Sequence, residues 1–221
     1  MESSNTAEGI NVFKPFKWMA HLLSYIFHPL FIPVYVTWFL TFVHPSFFAG
    51  YERQEKVWLL LRIVYTMVFL PIITVVILKG LKFIDSFFLK TQKDRIIPYI
   101  ACGIYFFWVY LVFKNQTEVP AVLTAFCFAV FLSSSAALIA NIYFKISMHA
   151  IGMGGALGLF VIIALGHSML MTIPLMTVLI LTGLVCSARL LISDHTNKEI
   201  YSGLLLGMIS QFVAAAIIQP L

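Results

Sequence analysis

Long runs of mostly apolar residues, separated by short polar connections, constrain this chain more than any other feature. A helix needs about 20 such residues to cross the roughly 30 Å hydrocarbon core of a bilayer. A spanning segment must be a helix or part of a closed barrel, and these runs lack the alternating polar face of barrel strands. The sequence therefore predicts an all-α fold, a polytopic transmembrane helical bundle with six or seven spanning helices. The candidate segments are 18–43, 57–78, 99–113, 119–144, 150–166, 169–190 and 200–218.

Two segments leave the number of spans open between six and seven. The first carries His28-Pro29 and Pro33, and proline removes a backbone donor, which favours a kink or a re-entrant break. The third, 99–113, is short for a span. We expect two parts in the chain: a short polar N-terminal tail over 1–17, without a removable signal peptide, and one transmembrane helical domain over 18–221.

Composition excludes a soluble protein and argues against a nucleic-acid partner. The chain is 61% hydrophobic and only 10% charged, against roughly 25% charged in soluble domains. Its net charge of +5 is scattered over short loops, which is typical of membrane-surface charge and not of a nucleic-acid face. The three cysteines lie inside apolar runs, where a thiol behaves as a small hydrophobe. Nothing in the sequence indicates an obligatory protein partner. The bilayer is the expected environment.

Three polar segments fall on one face of the membrane if the helices alternate in direction: 79–98, 145–149 and 189–199. In the first, cations stand at the start of a helix, as Lys90, Lys93 and Arg95. They could form an interfacial basic loop, or they could belong to a site. In the second, Ser147 and His149 stand at a membrane boundary, where a capped helix start and a site are both compatible with the pattern.

The third polar segment is the most informative. Arg189 stands where an apolar run still continues, and such an arginine is usually paired or near a helix end. His195 and Glu199 are four residues apart, the spacing that lets a carboxylate hold an imidazole in one tautomer. The same residues also fit a capping box, with Thr196 as N-cap and Glu199 bonding back to its amide. The sequence leaves these two interpretations open.

Six histidines is a large number for so apolar a chain, so metal binding has to be considered. The histidines are dispersed, and no His, Cys and carboxylate group has the close spacing of a zinc site. We therefore predict no bound metal and no other cofactor.

Together the three polar segments resemble the signatures of the type 2 phosphatidic acid phosphatase superfamily, which are membrane lipid phosphatases. The third signature is matched in spacing by Arg189, His195 and Glu199, with glutamate in place of aspartate. The second is Pro-Ser-Gly-His in the family, and Ile146 and Met148 stand here in place of the proline and the glycine. In the first, two isoleucines separate the arginine from Pro98. The resemblance covers about half of the chain, from the first signature to the end.

The resemblance implies a multi-pass membrane enzyme that hydrolyses a lipid phosphomonoester or pyrophosphate through a phosphohistidine, without a metal. It implies that His195 is the nucleophile, that Glu199 orients it, and that His149 protonates the departing lipid oxygen. The substrate would be a membrane lipid phosphate. The implied phosphate-binding residues are Lys90, Lys93, Arg95, Ser147 and Arg189.

Three alternatives stay open: a lipid phosphotransferase, a catalytically inactive relative, and a small transporter. The resemblance also implies a bacterial inner membrane, with the site on the periplasmic face. Charge counting opposes that orientation, because ten of the 14 Lys and Arg residues lie on the face of the three polar segments and the cytoplasmic side normally carries the excess.

Overall fold

A computed structural model describes residues 14–87, 89, 91–166, 171–192 and 195–220. These residues contain helices and no strand, so the predicted all-α fold is confirmed. Residues 1–13 of the predicted tail over 1–17 lie outside the described residues, and the first helix begins at Lys14. The helices are α1 Lys14–Ile26, α2 Ile32–Val43, α3 Arg53–Gly80, α4 Gln92–Lys114, α5 Ala121–Tyr143, α6 Met148–Gly166, α7 Thr172–Ile192 and α8 Asn197–Ile218.

Six of these helices, α3 to α8, are long and apolar enough to cross a membrane. The sequence predicted six or seven spans, and the described helices match the prediction of six. Their outward faces carry many exposed apolar side chains, such as Trp108, Ile142 and Leu179, which only a lipid environment would cover. The chain therefore has the architecture of a multi-pass membrane protein.

The predicted first span is broken into two short helices. Helix α1 ends at Ile26 and α2 begins at Ile32, so the break contains His28-Pro29. Pro29 has no N–H to donate, and it disfavours helical geometry at His28 before it. The backbone N–H of Leu30 donates instead to Nδ1 of His28 at 3.4 Å. The expected break is therefore present, and neither half qualifies as a span.

Helix α4 is longer than its predicted apolar run, because its polar first turn is helical too. Thr91 is the N-cap, and its Oγ1 accepts the backbone N–H of Asp94 at 3.1 Å. Pro98 stands in the second turn without ending the helix. The seven residues before Tyr99 therefore belong to the span, and Arg95 lies on the buried side of a helix instead of in a loop.

Glycines let α6 and α8 pack with their backbones in close contact, as expected for small residues between membrane helices. A Cβ at Gly154 would overlap the carbonyl oxygen of Leu204, and a Cβ at Gly207 would overlap that of Ile151. One turn closer to the α8 N-terminus, a Cβ at Gly203 would lie 2.8 Å from the carbonyl oxygen of Ser147. This packing fixes the start of α6 against the start of α8.

Because the six long helices alternate in direction, three connections lie at one end of the bundle. They join α3 to α4, α5 to α6, and α7 to α8, and they contain the three polar segments singled out in the sequence. We call this the site end.

Candidate functional site

Hydrogen bonds join the three connections at the site end. Nη1 of Arg95, on α4, donates to the carbonyl oxygen of Ile146 at 3.2 Å, just before α6 begins. The backbone N–H of Ser147 donates to the carbonyl oxygen of Glu199 at 3.3 Å, on the first turn of α8. Segments that are far apart in the sequence are therefore held at hydrogen-bonding distance.

His195 and Glu199 form a close pair. Nδ1 of His195 lies 3.0 Å from Oε2 of Glu199, and the same oxygen accepts the backbone N–H of Thr196 at 2.9 Å. Oγ1 of Thr196 in turn accepts the backbone N–H of Glu199 at 3.3 Å. The capping box and the His–carboxylate pair, which the sequence left as alternatives, are therefore both present and share one carboxylate oxygen.

This pair determines which nitrogen of His195 carries the proton. A carboxylate oxygen can only accept, so Nδ1 is the donor, and Nε2 of the neutral ring keeps an unprotonated lone pair. The glutamate is itself held at the start of α8 by the backbone of Thr196. The imidazole therefore has a fixed tautomer and a restricted orientation, which are the requirements for a nucleophilic histidine.

The surroundings of His195 favour its neutral form. Burial is the largest cause that lowers its pKa, and the positive charges of Arg189 and Lys145 lower it further. The hydrogen bond and the negative charge of Glu199 act in the opposite direction without cancelling the decrease. The Nε2 lone pair is therefore retained below the pH at which an exposed histidine becomes protonated.

Two arginines lie near this pair. Arg189 stands in the last turn of α7, near a helix end as expected, and its Nη1 donates to Oγ of Ser24 at 3.4 Å. Arg95 is 7% exposed, and its Nε donates to the carbonyl oxygen of Leu89 at 2.8 Å. Arg189 interacts electrostatically with Arg95 as well as with His195. Two positive charges that act on each other favour an anion in their vicinity.

His149 lies in the same group, whereas Ser147 has a structural contact. Nε2 of His149 donates to the carbonyl oxygen of Ser24 at 3.0 Å, and the ring interacts electrostatically with Arg189 and His195. Ser147 is fully buried, and its Oγ lies 3.5 Å from the backbone nitrogen of Ala150, where an N-cap hydroxyl is expected. Ser147 would need to move before its hydroxyl could contact a phosphate.

Of the two lysines proposed from the first polar segment, Lys90 lies outside the described residues. Lys93 is exposed on the first turn of α4, and no interaction joins it to the rest of the site among the residues that the structure describes. Lys145, in the α5–α6 connection, is the lysine whose charge acts on His195. The sequence marked Lys145 only as part of a membrane boundary, because a lysine there is ordinary.

Sequence reasoning missed Ser24 and His28, which the broken first segment brings into the site. The His28 ring packs edge-on against the His149 ring, with centroids 5.5 Å apart. The pKa of His28 is lowered by burial and then by the charge of Arg189. The available signal was His28-Pro29, which predicted the break but not its location. We call His28, His149, Arg189, His195 and Glu199 the histidine cluster.

The described residues contain no group of three or more His, Cys, Asp or Glu side chains arranged to hold a metal ion. The cations of the site are instead guanidinium and ammonium groups. Comparisons of the chain with protein-family models, with curated proteins and with solved structures found no match. The chemistry of the histidine cluster therefore carries the functional proposal.

Proposed function

We propose that this protein is a membrane lipid phosphatase or pyrophosphatase that acts through a phosphohistidine on His195. The observation that carries the proposal is the His195–Glu199 pair, 3.0 Å apart, which leaves Nε2 unprotonated beside Arg189. A nucleophile with a fixed tautomer, a carboxylate behind it and cations around it are the groups that phosphoryl transfer requires.

In the first step, the Nε2 lone pair of His195 forms a bond to phosphorus, and the bond from phosphorus to the lipid oxygen breaks. The leaving oxygen takes a proton from the imidazolium form of His149 through Nδ1, because the Nε2 proton is held by the Ser24 carbonyl oxygen. In the second step, water attacks phosphorus, the P–N bond breaks, and His149 takes the proton from that water. His195 is then neutral again, and inorganic phosphate leaves.

Positive charge assists both steps. Arg95, Arg189 and Lys145 would neutralise the phosphoryl oxygens, and a guanidinium group can bind two of those oxygens at once. Glu199 would stabilise the positive charge that develops on His195 as Nε2 bonds to phosphorus. These side chains supply orientation and charge together, which is why we expect catalysis without a divalent cation.

The location of the site supports a lipid substrate. The histidine cluster lies at one end of six helices that can span a bilayer, so a phosphate head can reach it while its chains stay among the helices. A soluble phosphate ester has no chain to place among the helices, so it would gain no binding energy from this location.

The first test is phosphate release from a panel of lipid phosphates and pyrophosphates by the purified protein in detergent with a chelator. We expect release from at least one lipid at an unchanged rate when chelator is added. Soluble phosphate esters serve as the control class, and they should be hydrolysed at least about tenfold more slowly because they lack the chain-binding energy. If a folded protein released no phosphate from any lipid, an inactive relative or a transporter would be favoured instead.

Replacement of Glu199 with glutamine should alter the pH dependence in a defined direction. Wild-type activity should fall as pH decreases through the lowered pKa of His195, because protonation removes the nucleophilic lone pair. Glu199 raises that pKa, so Glu199→Gln should lower it further and shift the acid limb of kcat/KM to lower pH. The maximal rate should also fall by at least about tenfold, since the amide cannot stabilise the charged ring.

The measurement is kcat/KM against pH for wild type and Glu199→Gln. Glu118→Gln is the matched control, because Glu118 is an exposed carboxylate in the α4–α5 connection at the opposite end. An acid limb that moved to higher pH in Glu199→Gln would contradict the assigned pairing.

The resemblance to the phosphatidic acid phosphatase superfamily also leads us to propose a bacterial inner membrane and a periplasmic site. Several cations at the site end belong to the site, so they should not be counted as topological signals. Labelling of Thr196→Cys in intact cells by a membrane-impermeant maleimide tests this orientation. We expect the cysteine to be labelled, and a cysteine that is not labelled would exclude a periplasmic site.

A further inference from the structure

A mostly apolar cavity of about 90 Å³, open on one side, lies among the break in the first segment and helices α4, α5, α6 and α8. Three of its lining residues adjoin residues of the site: Pro29 follows His28, Met148 precedes His149, and Tyr99 stands one turn after Arg95. The cavity therefore begins directly beneath the site and extends into the membrane region. Met148, which departs from the family pattern, lines this cavity.

One wall of the cavity carries a buried polar side chain, Gln211 of α8. This residue is 0% exposed, and neither its Nε2 nor its Oε1 has a hydrogen-bond partner among the described residues. An unpaired buried amide is costly, so buried amides in proteins are almost always hydrogen-bonded. An amide left unpaired by the protein, on the wall of a cavity, indicates that a ligand group bonds to it.

A second polar group lines the same cavity at a shallower depth. Tyr99 is 4% exposed, and its hydroxyl also lacks a hydrogen-bond partner among the residues that the structure describes. Four residues separate it from Arg95, which is about 6 Å along the helix, whereas twelve residues separate Gln211 from Glu199, or about 18 Å. The mostly apolar cavity, which Ser133 and Ser134 also line, thus offers unpaired hydrogen-bonding groups at two distances from the site.

We propose that this cavity binds a segment of the chain of the lipid substrate, and that Gln211 hydrogen-bonds an oxygen atom carried within that segment. Tyr99 would bond an oxygen nearer the phosphate, such as a linkage carbonyl. The substrate class is then an acyl lipid phosphate whose chain bears a hydroxyl or a second ester. A polyprenyl chain offers no hydrogen-bonding atom and would leave both groups unpaired. This inference depends on the proposed function for the position of the phosphate.

The test compares the affinities of three lipids: stearoyl phosphatidic acid, its analogue with a mid-chain hydroxyl, and a prenyl phosphate of similar length. All are measured in a His195→Ala background, so that bound lipid is not consumed, with and without Gln211→Met. Methionine keeps the length and shape of glutamine but cannot form the hydrogen bonds. We expect the hydroxylated lipid to bind about five- to tenfold more tightly than the stearoyl lipid, and that preference to disappear in Gln211→Met.

Two further measurements keep the outcomes distinct. Gln211→Met should unfold at a higher temperature than the parent without lipid, because an unpaired amide has been removed from the interior. Tyr99→Phe should weaken binding of both acyl lipids and leave the prenyl phosphate unaffected. Equal binding of all three lipids, or a preference that persists in Gln211→Met, would overturn the inference. Binding does not require turnover, so the affinities test the role of the cavity even if no lipid is hydrolysed. Phosphate release without this binding preference would reject the proposed role of the cavity and leave the proposed phosphatase function standing.

Discussion

His195→Ala should reduce phosphate release from any lipid substrate by at least about a thousandfold, because it removes the atom that would bond to phosphorus. Two other imidazole nitrogens of the histidine cluster offer no lone pair for this role. Nε2 of His149 carries the proton donated to Ser24, and Nδ1 of His28 accepts the N–H of Leu30. The measurement is phosphate release over time, together with acid-labile incorporation of labelled phosphate into wild-type protein.

The matched control for this variant is His21→Ala, which makes the same substitution at an exposed position of α1. His21→Ala should keep wild-type activity, and both variants should purify as folded protein with similar thermal unfolding. Substantial release by a folded His195→Ala variant would reject the nucleophile, although a lipid-binding protein would still be compatible with that outcome.

The second large effect is structural, and it comes from a residue without a functional group. Gly207→Ala would direct a Cβ into the carbonyl oxygen of Ile151, and backbone atoms cannot move aside as a flexible side chain can. Helices α6 and α8 would separate, with overpacking that costs at least about 1 to 3 kcal/mol. Since this contact also holds His149 near His195, we expect lower thermal stability and lower activity per folded molecule. Thermal unfolding in detergent and specific activity are the two measurements.

Gly183→Ala is the matched control, because Gly183 lies within α7 and a Cβ there would meet nothing within 4 Å. It should be neutral or slightly stabilising, since alanine favours helix over glycine. If Gly207→Ala were as stable and active as Gly183→Ala, the close packing of α6 and α8 could not be what positions the site.

The spans could be predicted from the sequence because lipid imposes a length and an apolar composition on each helix. Their boundaries were less predictable. Helix α4 begins at Gln92, seven residues before its predicted apolar run, because the cap at Thr91 and tertiary hydrogen bonds stabilise a polar first turn. Hydropathy identifies only the apolar part of a helix, so it cannot predict a helical turn made of polar residues.

The candidate site, like the helices, was predictable from the sequence in some respects and not in others. Motif spacing paired His195 with Glu199 as neighbours on one helical face, but His195 precedes the N-cap Thr196, and the pair forms because the capping box turns Glu199 back towards the residues before α8. Alternation of the helices also placed the three polar segments at one end of the bundle. The sequence could not decide between a capping box and a His–carboxylate pair, since the answer depends on one oxygen accepting two hydrogen bonds.

Only the tertiary structure decided the contacts between residues that are far apart in the chain. Ser24 and His28 meet His149 across more than a hundred residues, and Gln211 lines a cavity formed by five segments. Local sequence carries the helix period, the caps and the apolar length, because these depend on near neighbours and on the solvent. Which helix faces adjoin depends on side-chain shape over the whole bundle, and the glycines of α6 and α8 determine it only once both helices are present.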